Sequence, residues 1–371
     1  MSYKKIIPWS RPKIFKEDKL NLNKAINSSW ISGGEYIEKF EKKISKMLSI
    51  KYVSCVNNGT SALHAAFLAL DLKRGDEIAV PGFGYLAAAN IAKLMGLSIK
   101  FVDVDYNTYC MDYHSLKNTI SKKTKAVIFI HTYGNGGDIK KISKFLKKKK
   151  ITLIEDAAEA LGSKSGSKYL GTIGDIGTFS FHATKNITTG EGGCVVTRDK
   201  NFSSKIKLFR SHGVKSKRYF HYVPGHNFRL TNLQAAIGYS QISKIKLIIS
   251  RRKEIYKEYL HLFKSHNRKN ISFQKITNDI QFVPWTFAVN LKINNKNYRD
   301  NIMKKMFNKK IETRNGFYFP KDLPMFKGIK KLKNSSKLSK QVICLPIYYD
   351  LNKKLIKKII KSFVECLDKS K

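Results

Sequence analysis

Between about residues 50 and 200, short apolar runs alternate with longer stretches whose apolar positions recur every three or four residues. The short runs, rich in Val, Ile and Phe, predict β-strands at 51–56, 77–81, 98–103, 126–131 and 151–155. The amphipathic stretches predict helices at 61–70, 86–96, 113–120 and 139–148. Such short strands separated by helices imply an α/β fold, a mostly parallel sheet between layers of helices. Ligands in such sheets gather beyond the carboxyl ends of the strands, so the residues just after each strand are the ones to inspect.

After Arg229 the pattern changes. A long basic helical stretch at about 232–262, interrupted near Ser250, precedes candidate strands at 271–274, 286–293 and 342–345 and basic helices at 297–307 and 352–368. This predicts a smaller C-terminal α+β domain over 246–371 beside a large domain over 1–245. No repeat, low-complexity segment or Pro/Gly/Ser-rich linker divides the chain.

Composition narrows the function classes. The five cysteines (Cys55, Cys110, Cys194, Cys344, Cys366) are odd in number, scattered and without metal-ligand spacing. That argues for a reducing compartment, the cytoplasm, and against a structural metal site. The basic start lacks a signal peptide's apolar stretch, and no run approaches about 18 apolar residues, so neither secretion nor membrane spanning is expected. Seventy-one basic residues against 27 acidic ones give a formal charge of +44. An anionic partner is one reading. However, only eleven of the basic residues are arginines, and the lysines cluster in surface-like runs at 122–125, 147–150 and 353–358. Arginine leads where phosphates or bases are gripped in bidentate fashion, so the charge reads as lysine-rich background.

The strand ends carry the chemistry. After the first strand comes Asn57-Asn58-Gly59-Thr60-Ser61, directly before a helix. These small residues suit an anion at a helix N-terminus, and equally an ordinary N-cap by Asn58 or Thr60. After the second comes Pro81-Gly82-Phe83-Gly84-Tyr85, glycines beside aromatics, which leaves room for a flat ring or simply forms core. After the 151–155 strand come Asp156 and Glu159, carboxylates that need a cation or a cap. Lys185 lies 29 residues beyond Asp156, with Ser180 before it and a glycine cluster after it. Its flanking residues are mostly uncharged, unlike the lysine runs, and a shielded lysine presents a neutral, nucleophilic amine. Pyridoxal phosphate uses all of these: a lysine, an anion site for its phosphate, a carboxylate for its ring nitrogen and an aromatic face. His131 and Tyr133 at a strand end, and His182 three residues before the lysine, are candidate substrate contacts; a buried, hydrogen-bonded role is the other reading. Arg229 is either a substrate contact or part of a structural or interface pair.

The segments NNGTSALHAAFLAL, GDEIAVPGFGYLAAAN, HTYGNGGDI, IEDAAEALGS, GTIGDIGTFSFHATKNITTGEGGCVVT and GHNFRLTNLQAAIG resemble the DegT/StrS family of nucleotide-sugar aminotransferases across nearly the whole chain. The resemblance implies the aspartate-aminotransferase fold, called fold type I, with an N-terminal arm. It implies that Lys185 links covalently to pyridoxal phosphate and then carries the proton between cofactor and substrate carbon. It places Asp156 against the ring nitrogen, Glu159 near the ring hydroxyl and Tyr85 over the ring. The backbone at Gly59 and Thr60 and the Ser180 hydroxyl would bind the phosphate. Asn227 resembles the asparagine that completes this site from the neighbouring subunit, which implies a homodimer with shared sites. Dehydratases of the family hold histidine where Lys185 stands, so transamination is expected, with L-glutamate as amino donor.

The segments around Lys185 and 211–238 look most like enzymes that aminate C4 of a GDP-linked 4-keto-6-deoxymannose. SFHATK is also similar to enzymes that make a dTDP-linked 4-amino sugar, and the GDGG run of the C3-aminating branch is absent. Such sugars imply a role in surface polysaccharides, for example O-antigen. The chain departs from the perosamine-type pattern at 315–320, NGFYFP, which lacks the expected histidine. A nucleic-acid-binding regulator on the same fold is the reading from another class, and the scarcity of arginine argues against it. A catalytically silent relative would need the Lys, Asp or Ser position changed, and none is.

Overall fold

A computed structural model of the chain describes residues 6–266 and 268–368; the basic start at 1–5 and the last positions of the expected small domain lie outside the described residues. Seven strands form the main sheet: β1 (Tyr52–Val56), β2 (Glu77–Pro81), β3 (Ser98–Val102), β4 (Thr124–Ile130), β5 (Thr152–Asp156), β8 (Ile176–Ser180) and β9 (Gly193–Thr197). Two short strands, β6 (Lys164–Ser165) and β7 (Lys168–Tyr169), lie between β5 and β8 in the chain. The spatial order is β1-β9-β8-β5-β4-β2-β3, and only β9 runs against its neighbours.

The helices α1 (Lys16–Asn27), α2 (Glu35–Leu48), α3 (Gly59–Ala69), α4 (Ala87–Leu94), α5 (Tyr113–Thr119), α6 (Ile139–Lys149), α7 (Lys200–Arg210) and α8 (Asn232–Ser243) surround this sheet. In α2, Tyr36, Phe40, Ile44 and Leu48 are buried at a four-residue spacing, which lays one stripe of the helix on the sheet. One core, with α2, α6 and α8, fills one face; α3, α4 and α7 pack a second core on the other. The result is the layered α/β architecture that the alternating pattern predicts.

Beyond α9 (Ile245–Lys264) come β10 (Ser272–Phe273), β11 (Ile280–Gln281), β12 (Phe287–Asn290), α10 (Lys296–Asn308), β13 (Arg314–Asn315), α11 (Lys333–Gln341), β14 (Val342–Leu345) and α12 (Lys353–Asp368). A four-stranded sheet, β10-β12-β14-β13, is antiparallel throughout; β11 instead joins β6 and β7. A third core lies under α9, α10 and α12. A fourth cluster, including Trp9, Phe83, Tyr133, Trp285 and Val342, joins the two sheets.

Several expected boundaries shift. The break in the 232–262 stretch falls at Lys244, whose N–H closes α8, and not near Ser250, which lies inside α9. Ser250 is exposed and its hydroxyl donates to Glu254 one turn on, so it does not compete with the helix backbone. The strand expected at 286–293 is shorter, and α3 begins at Gly59 instead of 61. The 122–125, 147–150 and 353–358 lysines are exposed. No helix among the described residues is long and apolar enough to cross a membrane.

Candidate active site

A cavity of about 660 Å³ opens at the carboxyl ends of the parallel strands, where Asp156 ends β5 and Ser180 ends β8. Its lining includes Asn58, Gly59, Thr60, Tyr85, Asp156, Glu159, Ser180, His182 and Lys185, so most of the residues singled out from the sequence converge here.

The α3 N-terminus forms one wall. Asn58 is its N-cap, and its side chain accepts the Ser61 N–H at 2.7 Å. Gly59 and Thr60 fall in the first turn, whose N–H groups have no partner inside the helix. A Cβ on Gly59 would lie 2.9 Å from the Ser180 Cβ, so only glycine lets α3 and the end of β8 approach this closely. Tyr85 also lines the cavity and is 64% exposed.

Lys185 is held deep in the cavity. Its Nζ lies 3.8 Å from Glu159 Oε1 and 4.2 Å from the centre of the Trp285 ring. Burial lowers its pKa, and Glu159 and Asp156 oppose that shift. Burial pushes Glu159 up to about 7, against the Lys185 charge and the Tyr133 N–H that donates to it at 2.9 Å. Asp156 is also raised by burial, although its carboxylate accepts the Ala158 N–H at 3.1 Å. Two buried carboxylates thus share one lysine, and a second cation is wanted beside Asp156. His182 faces the same space, its Nδ1 2.9 Å from the Thr184 hydroxyl and its Nε2 3.7 Å from Glu191.

Three candidate substrate contacts stand elsewhere. His131 is fully buried: Nδ1 lies 3.1 Å from the Asn135 carbonyl and Nε2 2.7 Å from Glu155. Tyr133 is buried too, because the turn after β4 takes left-handed backbone at this residue (φ 58°) and packs the ring between Trp285 and Phe317. Neither lines the cavity: His131 anchors Glu155 behind it, and the Tyr133 N–H anchors Glu159 in its wall. Glu155 gathers His131 with the N–H groups of Gly171, Ile173 and Gly174. Burial would raise its pKa, but His131 and these donors hold it below the usual value. Arg229 is exposed outside the cavity lining and donates to Asn227 at 3.1 Å. Asn227 is exposed and outside the lining as well.

Sequence reasoning missed Trp9 and Trp285, which form a wall of the cavity with their rings edge to face at 5.3 Å. They lie far apart in the chain, and a lone tryptophan carries no signal beyond core. It also missed His64, which lines the cavity near His226 and whose pKa is lowered by burial.

Comparison with known proteins agrees with this geometry. The chain is 39% identical to the GDP-perosamine synthase of Escherichia coli O157:H7, covering 87% of each chain. It is 34% identical to the GDP-perosamine synthase of Vibrio cholerae, covering 98% of this chain and 100% of that one. Among solved structures, Helicobacter pylori PseC, an aminotransferase involved in the biosynthesis of pseudoaminic acid, superposes with a TM-score of 0.93 at 26% identity, over 98% of this chain and 100% of that one. Residues 12–364 match the model of one family, and the chain belongs to it: the DegT/DnrJ/EryC1/StrS aminotransferase family.

Proposed function

We propose that this chain is a pyridoxal-phosphate-dependent aminotransferase that converts a nucleotide-linked 4-keto-6-deoxyhexose to the 4-amino sugar, with L-glutamate as amino donor. The observation that carries this reading is Lys185, a shielded amine 3.8 Å from Glu159 in a cavity that also holds Asp156 and the α3 N-terminus. The residues fit the cofactor. The Gly59 cradle and the Ser180 hydroxyl suit its phosphate, and the buried Asp156 carboxylate suits a protonated ring nitrogen. Bound there, pyridoxal phosphate supplies an aldehyde that condenses with amines and a ring that takes up electrons.

The chain's own groups do the rest. Lys185 Nζ, its pKa lowered by burial, gives up and takes back a proton readily. Glu159, near neutrality, receives or returns charge beside it. Tyr85 would lie over the ring, and the Trp285 face against the amine helps to exclude water from it.

Identity to the two perosamine synthases supports a GDP-linked 4-keto-6-deoxymannose as substrate and GDP-perosamine as product. In the departing 315–320 segment, Phe317 packs 6.4 Å from Tyr85, which puts an aromatic side chain beside the site. The reading includes a homodimer in which Asn227 completes the partner's phosphate site, domains over 1–245 and 246–371, and work in the cytoplasm on surface polysaccharide sugars. The five cysteines, all buried, are compatible with a reducing compartment.

The test offers GDP-, dTDP- and UDP-linked 4-keto-6-deoxy sugars with glutamate and identifies products by mass and NMR. Amination of the GDP sugar is expected. Lys185→Ala is expected to lose roughly 10³-fold or more of the rate. Borohydride is expected to fix the cofactor to Lys185, and a Lys185→Ala enzyme with undiminished rate overturns the mechanism.

A further inference from the structure

Trp285 touches the loop of Lys185 at two points. Its indole N–H donates to the carbonyl of Thr184, the residue before the lysine, at 2.9 Å. Its ring face meets the Lys185 nitrogen, 4.2 Å from the ring centre. The tryptophan is itself fixed. Its backbone N–H donates to the Tyr133 carbonyl at 3.3 Å, and its own carbonyl accepts from Arg252 at 3.1 Å. Trp9 abuts it edge to face, and Tyr133 stacks on it at 6.1 Å. Because Tyr133 also donates its N–H to Glu159, one set of contacts ties the carboxylate, the tryptophan and the lysine loop together.

We infer that Trp285 is a positioning residue for Lys185: its N–H fixes the loop that carries the lysine, and its ring face holds the amine toward Glu159. A side chain as long as lysine otherwise has many rotamers, and a reacting amine displaced by about an ångström loses roughly a hundredfold in rate. Trp285 lies 100 residues beyond Lys185, and its N–H has one acceptor, so its place in the fold is explained by the loop it holds. The inference rests on the reading of Lys185 as the reacting amine.

The test reads the amine directly. In the cofactor-free full chain, trace acetic anhydride labels Lys185 in proportion to its neutral fraction, and mass spectrometry of its peptide against pH gives a midpoint. The charged groups that bear on this midpoint are Glu159 and Asp156 in front, Arg252 behind, and Arg11 and Lys13 around the small cavity there. A ring face favours the ammonium, so its removal moves the midpoint to lower pH. Trp285→Leu is expected to lower it by about one unit. Trp285→Phe keeps a face and loses the N–H: its midpoint stays near that of the wild type, while kcat falls roughly tenfold with little change in KM for the nucleotide sugar. Full-length protein made with fluorinated tryptophan has the same shape and a less negative ring face, and its midpoint is expected to fall without any substitution. An unchanged midpoint in Trp285→Leu, or in the fluorinated protein should that variant not fold, overturns the inference; so does a wild-type kcat in Trp285→Phe. Amination by Lys185→Ala at the wild-type rate would instead overturn the assignment of Lys185, which keeps the two failures apart.

Discussion

Lys185 and Glu159 are pulled in opposite directions by the same cavity. Burial disfavours both charges, and their mutual attraction at 3.8 Å only partly offsets it, so the lysine is lowered and the glutamate sits at about 7. These shifts give stability a definite pH dependence. A carboxyl whose folded pKa lies above its unfolded value stabilises the fold in acid, and that stability is lost as pH rises through the folded value. For Glu159 the loss spans roughly pH 4 to 7, between the ordinary glutamate value and the folded one. Glu159→Gln keeps the shape and removes the titration. Thermal melts of the cofactor-free protein are therefore expected to show a wild-type midpoint that declines across this window, relative to the variant, with the largest gap above pH 7. Parallel curves would mean that Glu159 titrates as an ordinary exposed carboxyl.

At the scale of elements, the site depends on how closely the α3 N-terminus approaches the end of β8. A methyl at Gly59 meets Ser180 Cβ at 2.9 Å, and Ser180 is too short to swing away. Gly59→Ala is expected to cost about 1–3 kcal/mol of stability and to weaken pyridoxal phosphate binding about tenfold by absorbance titration. Adding Ser180→Gly restores room and hence stability, but not affinity, because the hydroxyl is gone; recovery of both would show that the cradle acts by packing alone. Five strands of the main sheet were legible because each carries a short, largely apolar run between turn residues, and the Asp156 and Lys185 segments because their residue types suit few other purposes in such places; β8 (IGTFS) and β9 (GCVVT) were not, since short stretches set among the glycines around Lys185 read as loop. The antiparallel course of β9 was not legible, since apolar strands read alike in either direction. Nor was the inward turn after β4: the apolar run ends at Ile130 without saying that left-handed backbone at Tyr133 buries the next few side chains. Trp9 and Trp285 escaped for a different reason, because their meaning lies in a contact between residues 276 positions apart.

At the scale of the whole molecule, the proposed phosphate cradle combines the α3 N-terminus and Ser180, while Asn227, the residue proposed to complete it, stands exposed on the surface of its own chain beside Arg229. Large apolar side chains are exposed near it in sequence, Tyr219 at 78% and Tyr222 at 48%, and another at Trp30, 69%. Isolated exposed aromatics are ordinary, but here they accompany a polar residue with a proposed task in another subunit. In a two-fold dimer, each chain would lend Asn227 to the site that holds its partner's Lys185. This arrangement makes a demanding prediction. Lys185→Ala and Asn227→Ala chains are each expected to be weak or inactive alone, the first by losing the amine and the second by losing a phosphate ligand. After the two are mixed, unfolded and refolded together, mixed dimers contain one site with both residues intact, and activity should return to about a quarter of the wild-type value. If each site draws both residues from one chain, neither variant can supply what the other lacks, and the mixture stays as inactive as its parts.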